Sequence, residues 1–270
     1  MLKPCRSAAG RGIRVWDETA ASEFVAGGIE SHYFQQRSTG IPCSGLYLIN
    51  AAGTHRIGFS RQFIGEPALN ATGYKYCGSL GPIELPSRAA QVLDAIATGL
   101  TSACELRGLF GLDFLLEGDI PLVTEVNPRY TASVEIYEAA FDVPLLRHHA
   151  AAFESQPIDS PTIPAHSPSI VAKAILFAAD ECVTPPLHSE SLSSFCPEDV
   201  RLADIPSAGS RIAQGHPVCS ILARAGDQGE CLDRLNSALQ ALSMQLFRRA
   251  SFPVCAEINF EASRSSSSRG

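Results

Sequence analysis

Long apolar runs are missing from this sequence, and with them several classes of protein. No uninterrupted hydrophobic stretch approaches the roughly 20 residues a helix needs to cross a bilayer, although 45% of the residues are hydrophobic. The opening Met1-Leu2-Lys3-Pro4-Cys5-Arg6 has no apolar core of a signal peptide behind it. Basic charge is scarce as well: 21 Lys and Arg against 28 Asp and Glu give a net charge of -7. Nucleic-acid modules carry clustered Lys and Arg on one face, which this balance does not supply. Cysteines in C-x-x-C spacing are also lacking. The nine that exist are scattered and odd in number, so neither a zinc site nor a disulfide framework is expected. His148 and His149 are adjacent, and neighbours on a helix point about 100° apart, which does not suit two ligands of one metal. The expectation from these absences is a cytoplasmic protein that binds neither nucleic acid nor membrane.

What is present divides the chain into two units. A chain of 270 residues can build one large domain or two moderate ones. Short extended pieces flank the turn Arg6 to Gly12, and Leu46–Asn50 and Arg56–Ser60 read as strands joined by Ala51-Ala52-Gly53. Leu93, Ile96, Leu100 and Ala103 recur at helical spacing behind Pro86 and Ser87, which predicts a helix from Ser87 to about Arg107. Residues 151–168, rich in Ala, Pro, Ser and His, read as a linker. Beyond them the pattern predicts strands at Ile170–Phe177 and Val218–Ala223. A closing helix follows, with Leu232, Leu235, Leu239, Leu242 and Leu246 on one stripe. The expected organisation is residues 1–150, a linker at 151–168, a smaller α/β unit at 169–258 and a disordered tail at 259–270.

The segment from Leu112 to Asn127 carries the chemistry. Leu112–Leu116 and Ile120–Asn127 read as a β-hairpin with a three-residue loop, Glu117-Gly118-Asp119. That register sets Leu116 opposite Ile120 and Asp113 opposite Val123. Side chains alternate along a strand, so Val123, Glu125 and Asn127 share a face with Asp113. Two carboxylates and an amide oxygen are hard ligands that suit Mg²⁺, which prefers a few carboxylates together with waters and phosphates. The same alternation also fits any half-exposed hairpin, and a loop one residue longer or shorter turns Asp113 to the other face.

Glu125-Val126-Asn127-Pro128-Arg129 resembles the E-x-N-P-R signature of the ATP-grasp ligases. That resemblance implies that Asp113, Glu125 and Asn127 hold the magnesium (or manganese) bridging the ATP phosphates, with Arg129 beside the transferred phosphate. Lys3-Pro4 followed by Gly10-Arg11-Gly12 is similar to the family's strand lysine and phosphate-covering glycine loop. Gln35-Gln36-Arg37 ahead of Gly40 is similar to its adenine hinge, with Gln36 where a Glu is common. Tyr74 to Pro82 resembles the Tyr-x-Gly-Ser-x-Gly-Pro loop of a subset, and also reads as a Gly-rich surface turn. Asn127 to Ser133, and later Ala203-Asp204-Ile205-Pro206 with Gly209 and Gly215, resemble the ATP-grasp proteins of methanofuran- and tetrahydromethanopterin-linked one-carbon pathways, the tyramine–glutamate ligase kind.

The resemblance implies an α+β ATP-grasp fold and an ATP-dependent ligase joining a small-molecule carboxylate to an amine through an acylphosphate. Lys3 and Arg129 would act in the reaction, while Lys3, Gly10, Gly12, Gln35 and Gln36 would hold the nucleotide. It also implies a preceding N-terminal α/β domain that this sequence lacks. Either the coding frame begins upstream, or a partner chain or homo-oligomer supplies that part, or the protein is a non-catalytic remnant. A biotin-carboxylase-like enzyme shares the fold, although no biotin-attachment motif occurs here.

Overall fold

The computed structural model describes residues 1–6, 10–18, 21, 24, 31–154, 161–164, 169–184, 199–246 and 258. Its fold class is α+β, as the resemblance implies. Two short strands, β1 (Leu2–Pro4) and β2 (His32–Phe34), pair antiparallel with Lys3 opposite Tyr33. The main sheet is built from β3 (Ile41–Asn50), β4 (Gly53–Ile64), β5 (Tyr76–Ile83), β6 (Gly108–Glu117), β7 (Ile120–Asn127) and β8 (Ile170–Phe177). After the short β9 (Cys182–Val183), β10 (Val200–Ala203) and β12 (Pro217–Ala225) complete it, while β11 (Arg211–Ile212) pairs only with β9. Its eight strands lie in the order β10-β12-β8-β5-β4-β3-β6-β7, with antiparallel pairing throughout.

Helices cover both faces. Helix α1 (Ser87–Cys104) ends three residues before the expected Arg107, where Glu105 turns left-handed at φ 50°. Its Leu93 and Ala97 are buried against Tyr47, Phe59, Phe110 and Phe114. Helix α4 (Gln228–Leu246) lies on the same face, burying Leu235 and Leu239 against Ala172, Ala174 and Ile221. Between them in sequence, α2 (Val134–Phe141) and α3 (Leu145–Ala151) cover the other face, where Ile136 and Tyr137 meet Leu46, Leu48, Leu109 and Val171. Buried residues on the two faces of the main sheet therefore pack separately, one set under α1 and α4 and one under α2 and α3.

One feature differs from the sequence expectation. The Tyr74–Pro82 segment is no surface turn: from Tyr76 on it is β5, an interior strand with Cys77, Gly78, Ser79 and Leu80 buried. Glycine is required at position 78, where φ is 152° and a Cβ would lie 2.1 Å from the Lys173 carbonyl oxygen. Strand β5 pairs directly with β8, from Gly78↔Ala174 to Gly81↔Val171. The expected tail lies outside the described residues.

Candidate functional site

The hairpin β6–β7 supplies the centre of the site, in a different register from the one expected. Glu117 pairs with Ile120, so the loop is the two residues Gly118 and Asp119, not three. Glycine takes φ +61° there, as such tight hairpins demand. Continued straight, that register would set Asp113 opposite Thr124 and send Glu125 to the other face. A bulge intervenes: Phe114 pairs with Val123 but Asp113 pairs with Glu125, leaving Thr124 as the extra residue. Thr124 Oγ1 closes the bulge by donating to the Asp113 carbonyl at 3.1 Å. The bulge thus restores the face that the tighter turn would have lost, and Asp113, Glu125 and Asn127 do share it.

Hydrogen bonds lock the group. Asn127 Nδ2 donates to Asp113 Oδ2 at 3.1 Å, and Arg129 Nη2 donates to Asn127 Oδ1 at 3.0 Å. Gln62 on β4 reaches across β3 to donate to Asp113 Oδ1 at 3.0 Å. Burial raises the Asp113 pKa above its ordinary value. The hydrogen bond from Ser44 opposes that rise, the like charge of Glu125 adds to it, and Gln62 and Asn127 oppose it. Two carboxylates directly opposite on neighbouring strands repel each other, and a cation between them would relieve both the repulsion and the cost of burial.

The polar row continues over the sheet on the same face. Ser44 pairs with Asp113 and with Ser60, Gln62 pairs with Ser79, and Ser79 pairs with Lys173. Tyr76 donates or accepts at Ser79 Oγ, 2.9 Å away. Its pKa is raised by burial, and the nearby charges of Asp113 and Glu135 also raise it, while Ser79 lowers it. At the far end Lys173, only 6% exposed, meets Glu135 of α2 at 2.6 Å. From Asp113 to Lys173 is four strand spacings, roughly 19 Å. Neither Gln62 nor Lys173 was legible in the sequence, because the pairings that bring them to this row join segments 51 and 94 residues apart.

The remaining expected residues lie on the β1–β2 piece. Lys3 is half-buried on β1, and Gln35 continues from β2, bonded through its backbone to both polar groups of Met1 at 2.8 and 3.0 Å. Gln36 is exposed. Gly10 and Gly12 both take left-handed φ, +74° and +73°. A Cβ on Gly10 would stand 2.1 Å from the Tyr74 carbonyl oxygen, so the glycine turn rests on the backbone leading into Tyr76. Lys3, Gly12, Gln35 and Gln36 take no part in the hydrogen-bonded group around Asp113. His149 has a structural role, its Nδ1 accepting the Leu109 N–H at 2.8 Å.

The antiparallel sheet with helices on both faces, carrying this hairpin at its edge, is a fold shared with several solved structures. Residues 1–133 match the family model described as an ATP-grasp domain. The biotin carboxylase domain of Hydrogenobacter thermophilus 2-oxoglutarate carboxylase, solved with MgADP, ADP and bicarbonate, matches 88% of this chain and 55% of its own at TM-score 0.69 and 13% identity. An L-amino acid ligase from Bacillus licheniformis matches 85% of this chain and 59% of its own at TM-score 0.67 and 16% identity. N5-carboxyaminoimidazole ribonucleotide synthetase from Thermus thermophilus matches 86% and 58% at TM-score 0.61 and 16% identity. An uncharacterized protein of Methanocaldococcus jannaschii is 23% identical over 232 residues, 83% of this chain. The chain spans half the length of that relative.

Proposed function

We propose that this chain is an ATP-dependent ligase that joins a carboxylate to an amine or similar nucleophile through an acylphosphate. The observation that carries this reading is the bulged register that sets Asp113 against Glu125, with Asn127 and Arg129 bonded to them in sequence. The donor set fits a hard divalent cation: an amide oxygen and two carboxylates, which repel each other without one. Among the described residues no group of three or more His, Cys, Asp and Glu is arranged to hold a metal, so a softer ion has no competing site. Bound there, Mg²⁺ or Mn²⁺ would offset the charge that develops on the phosphoryl oxygens. Arg129 adds a fixed guanidinium beside the same phosphates. Lys3, with Gly10 and Gly12, would position the phosphates, and Gln35 and Gln36 would meet the adenine edge.

The acid and the amine are small molecules under this reading. The likeness of Asn127–Ser133 and Ala203–Pro206 to one-carbon-pathway ligases supports a cytoplasmic enzyme of that kind. Gln36, exposed and uncharged where a Glu is common, favours a second reading as a nucleotide-binding subunit without turnover. Calorimetric titration with a non-hydrolysable ATP analogue, with and without Mg²⁺, tests the site. Binding is expected to require Mg²⁺ and to disappear in Glu125→Gln. Equal binding by that variant would overturn the metal assignment, and binding without turnover on any carboxylate–amine pair would favour the second reading.

A further inference from the structure

A cavity of about 610 Å³ opens where α2 leaves the sheet near β10 and β12. Tyr130, the residue after Arg129, lines it together with Glu135 and Glu138 of α2. Arg201 and Arg224 line it from the sheet, and Asp199 stands at the rim of β10. Glu135 and Glu138 are three apart on one helix and so share a face. Arg201 pairs across the ladder with Leu222, which is two residues from Arg224, so both guanidiniums rise from the same side of the sheet. That is also the side bearing Lys173, opposite Leu222, and therefore the polar row of the candidate site.

Existing partners neutralise part of this charge. Glu135 is paired with Lys173, and Asp199 with Arg234. Glu138 accepts the Leu146 N–H at 3.0 Å and bonds the Tyr130 hydroxyl, and among the described residues no cation forms an ion pair with it. Burial pushes the Tyr130 pKa up to about 12, with Glu138 and Glu135 adding to the rise, so the phenol is a neutral donor at physiological pH. Arg224 donates its Nε to Ser169 at 2.8 Å. One wall thus offers a carboxylate and the other offers guanidinium groups, with room for a small molecule between.

We infer that this cavity binds a free α-amino acid, its ammonium toward Glu138 and its carboxylate toward Arg201 and Arg224. A simple amine would leave the guanidiniums facing nothing, and a phosphate would meet the Glu138 carboxylate. Only a zwitterion answers both walls, and guanidinium forks suit a carboxylate. The cavity lies on β8, β12 and β10, four or more strand spacings from Asp113, so the amino acid sits apart from the phosphates and its binding does not depend on the ligase reading.

The test is saturation-transfer NMR and calorimetry on the full chain with each of the twenty standard amino acids, and with ethylamine and propionate as half-ligands. At least one amino acid is expected to bind, lysine and arginine worst, and the half-ligands much more weakly. Arg201→Gln and Glu138→Gln should each weaken it by roughly tenfold or more, while Mg²⁺–nucleotide binding is unchanged. Arg201 is exposed and the glutamine at 138 keeps an acceptor for Leu146, so neither change threatens folding. No amino acid binding, or equal binding by both variants, overturns the cavity assignment. Loss of nucleotide binding in Glu125→Gln bears only on the ligase reading, so the two fail separately.

Discussion

At the scale of single residues, burial decides which groups are chemically available. Cys43, Cys77 and Cys231 are buried free thiols, and burial pushes their pKa values up to about 12, 11 and 11. The thiolate is the reactive form, and a raised pKa means that its fraction stays small until the pH approaches those values. Cys5 and Cys104 are exposed. At pH 8 a thiol reagent is therefore expected to label Cys5 and Cys104 first, and the three buried thiols only when denaturant is added, with mass spectrometry of the labelled peptides as the check. Gly10 is a second case, where both a left-handed φ and the Tyr74 carbonyl forbid a side chain. Gly10→Ala is expected to cost about 1–3 kcal/mol of local stability and to weaken nucleotide binding. A titration in which the alanine variant binds as tightly as the parent would remove the glycine turn from the site. Lysine is used sparingly, at positions 3, 75 and 173 only. The two away from the β1–β2 piece are both engaged, Lys75 with the Gly215 carbonyl at 2.8 Å and Lys173 with Glu135.

Among the elements, the strands and helices with a clean period were legible in the sequence. Ile170–Phe177 was read to the residue, and the closing helix was marked by its leucine stripe. The shared face of Asp113, Glu125 and Asn127 was also legible, but through a register that does not exist. Alternation fixes which residues can share a face, while the turn length and bulge that decide the pairing depend on a φ at Gly118 and on one hydroxyl at Thr124. Tyr76–Ile83 escaped for the opposite reason: its glycines signal a turn, yet here they let strands pack at van der Waals limits. Helix α2 was not marked at all, since its packing against the sheet and not its short sequence holds it. The bulge makes a sharp prediction. Deleting Thr124 removes the extra residue, so β7 should become a straight ladder in which Glu125 still pairs with Asp113 and Asn127 with Gly111. The far-ultraviolet circular dichroism should stay close to that of the parent, and Mg²⁺-dependent nucleotide binding should be retained; its loss would show that the bulge itself, and not only the shared face, shapes the site.

Considered as a whole molecule, the chain is held together by one sheet. The unit expected at 169–258 contributes three of its eight strands, and β8 is hydrogen-bonded into the first unit along Gly78–Gly81. Side chains stitch the same seam: Asn70 Nδ2 donates to the Phe177 carbonyl at 2.8 Å, and Lys75 lies 4.4 Å from the centre of the Phe177 ring. A division into two independent units would give two unfolding transitions. The shared sheet is expected to give one, with far-ultraviolet and fluorescence signals coinciding in urea. Residues 1–150 expressed alone should fail to give that cooperative transition, because β5 loses its neighbour and its core.

The bulge at Thr124 has a second consequence, for solubility. Strand β7 is an outer strand of the sheet, and a long, flat outer strand is a template onto which another chain can add itself. An extra residue twists that margin out of line, and Glu125 places a charge on it. The feature that gathers the carboxylates therefore also keeps neighbouring copies from zippering together. A β7 straightened by deleting Thr124 should be sticky, its light scattering rising with concentration where that of the parent stays flat.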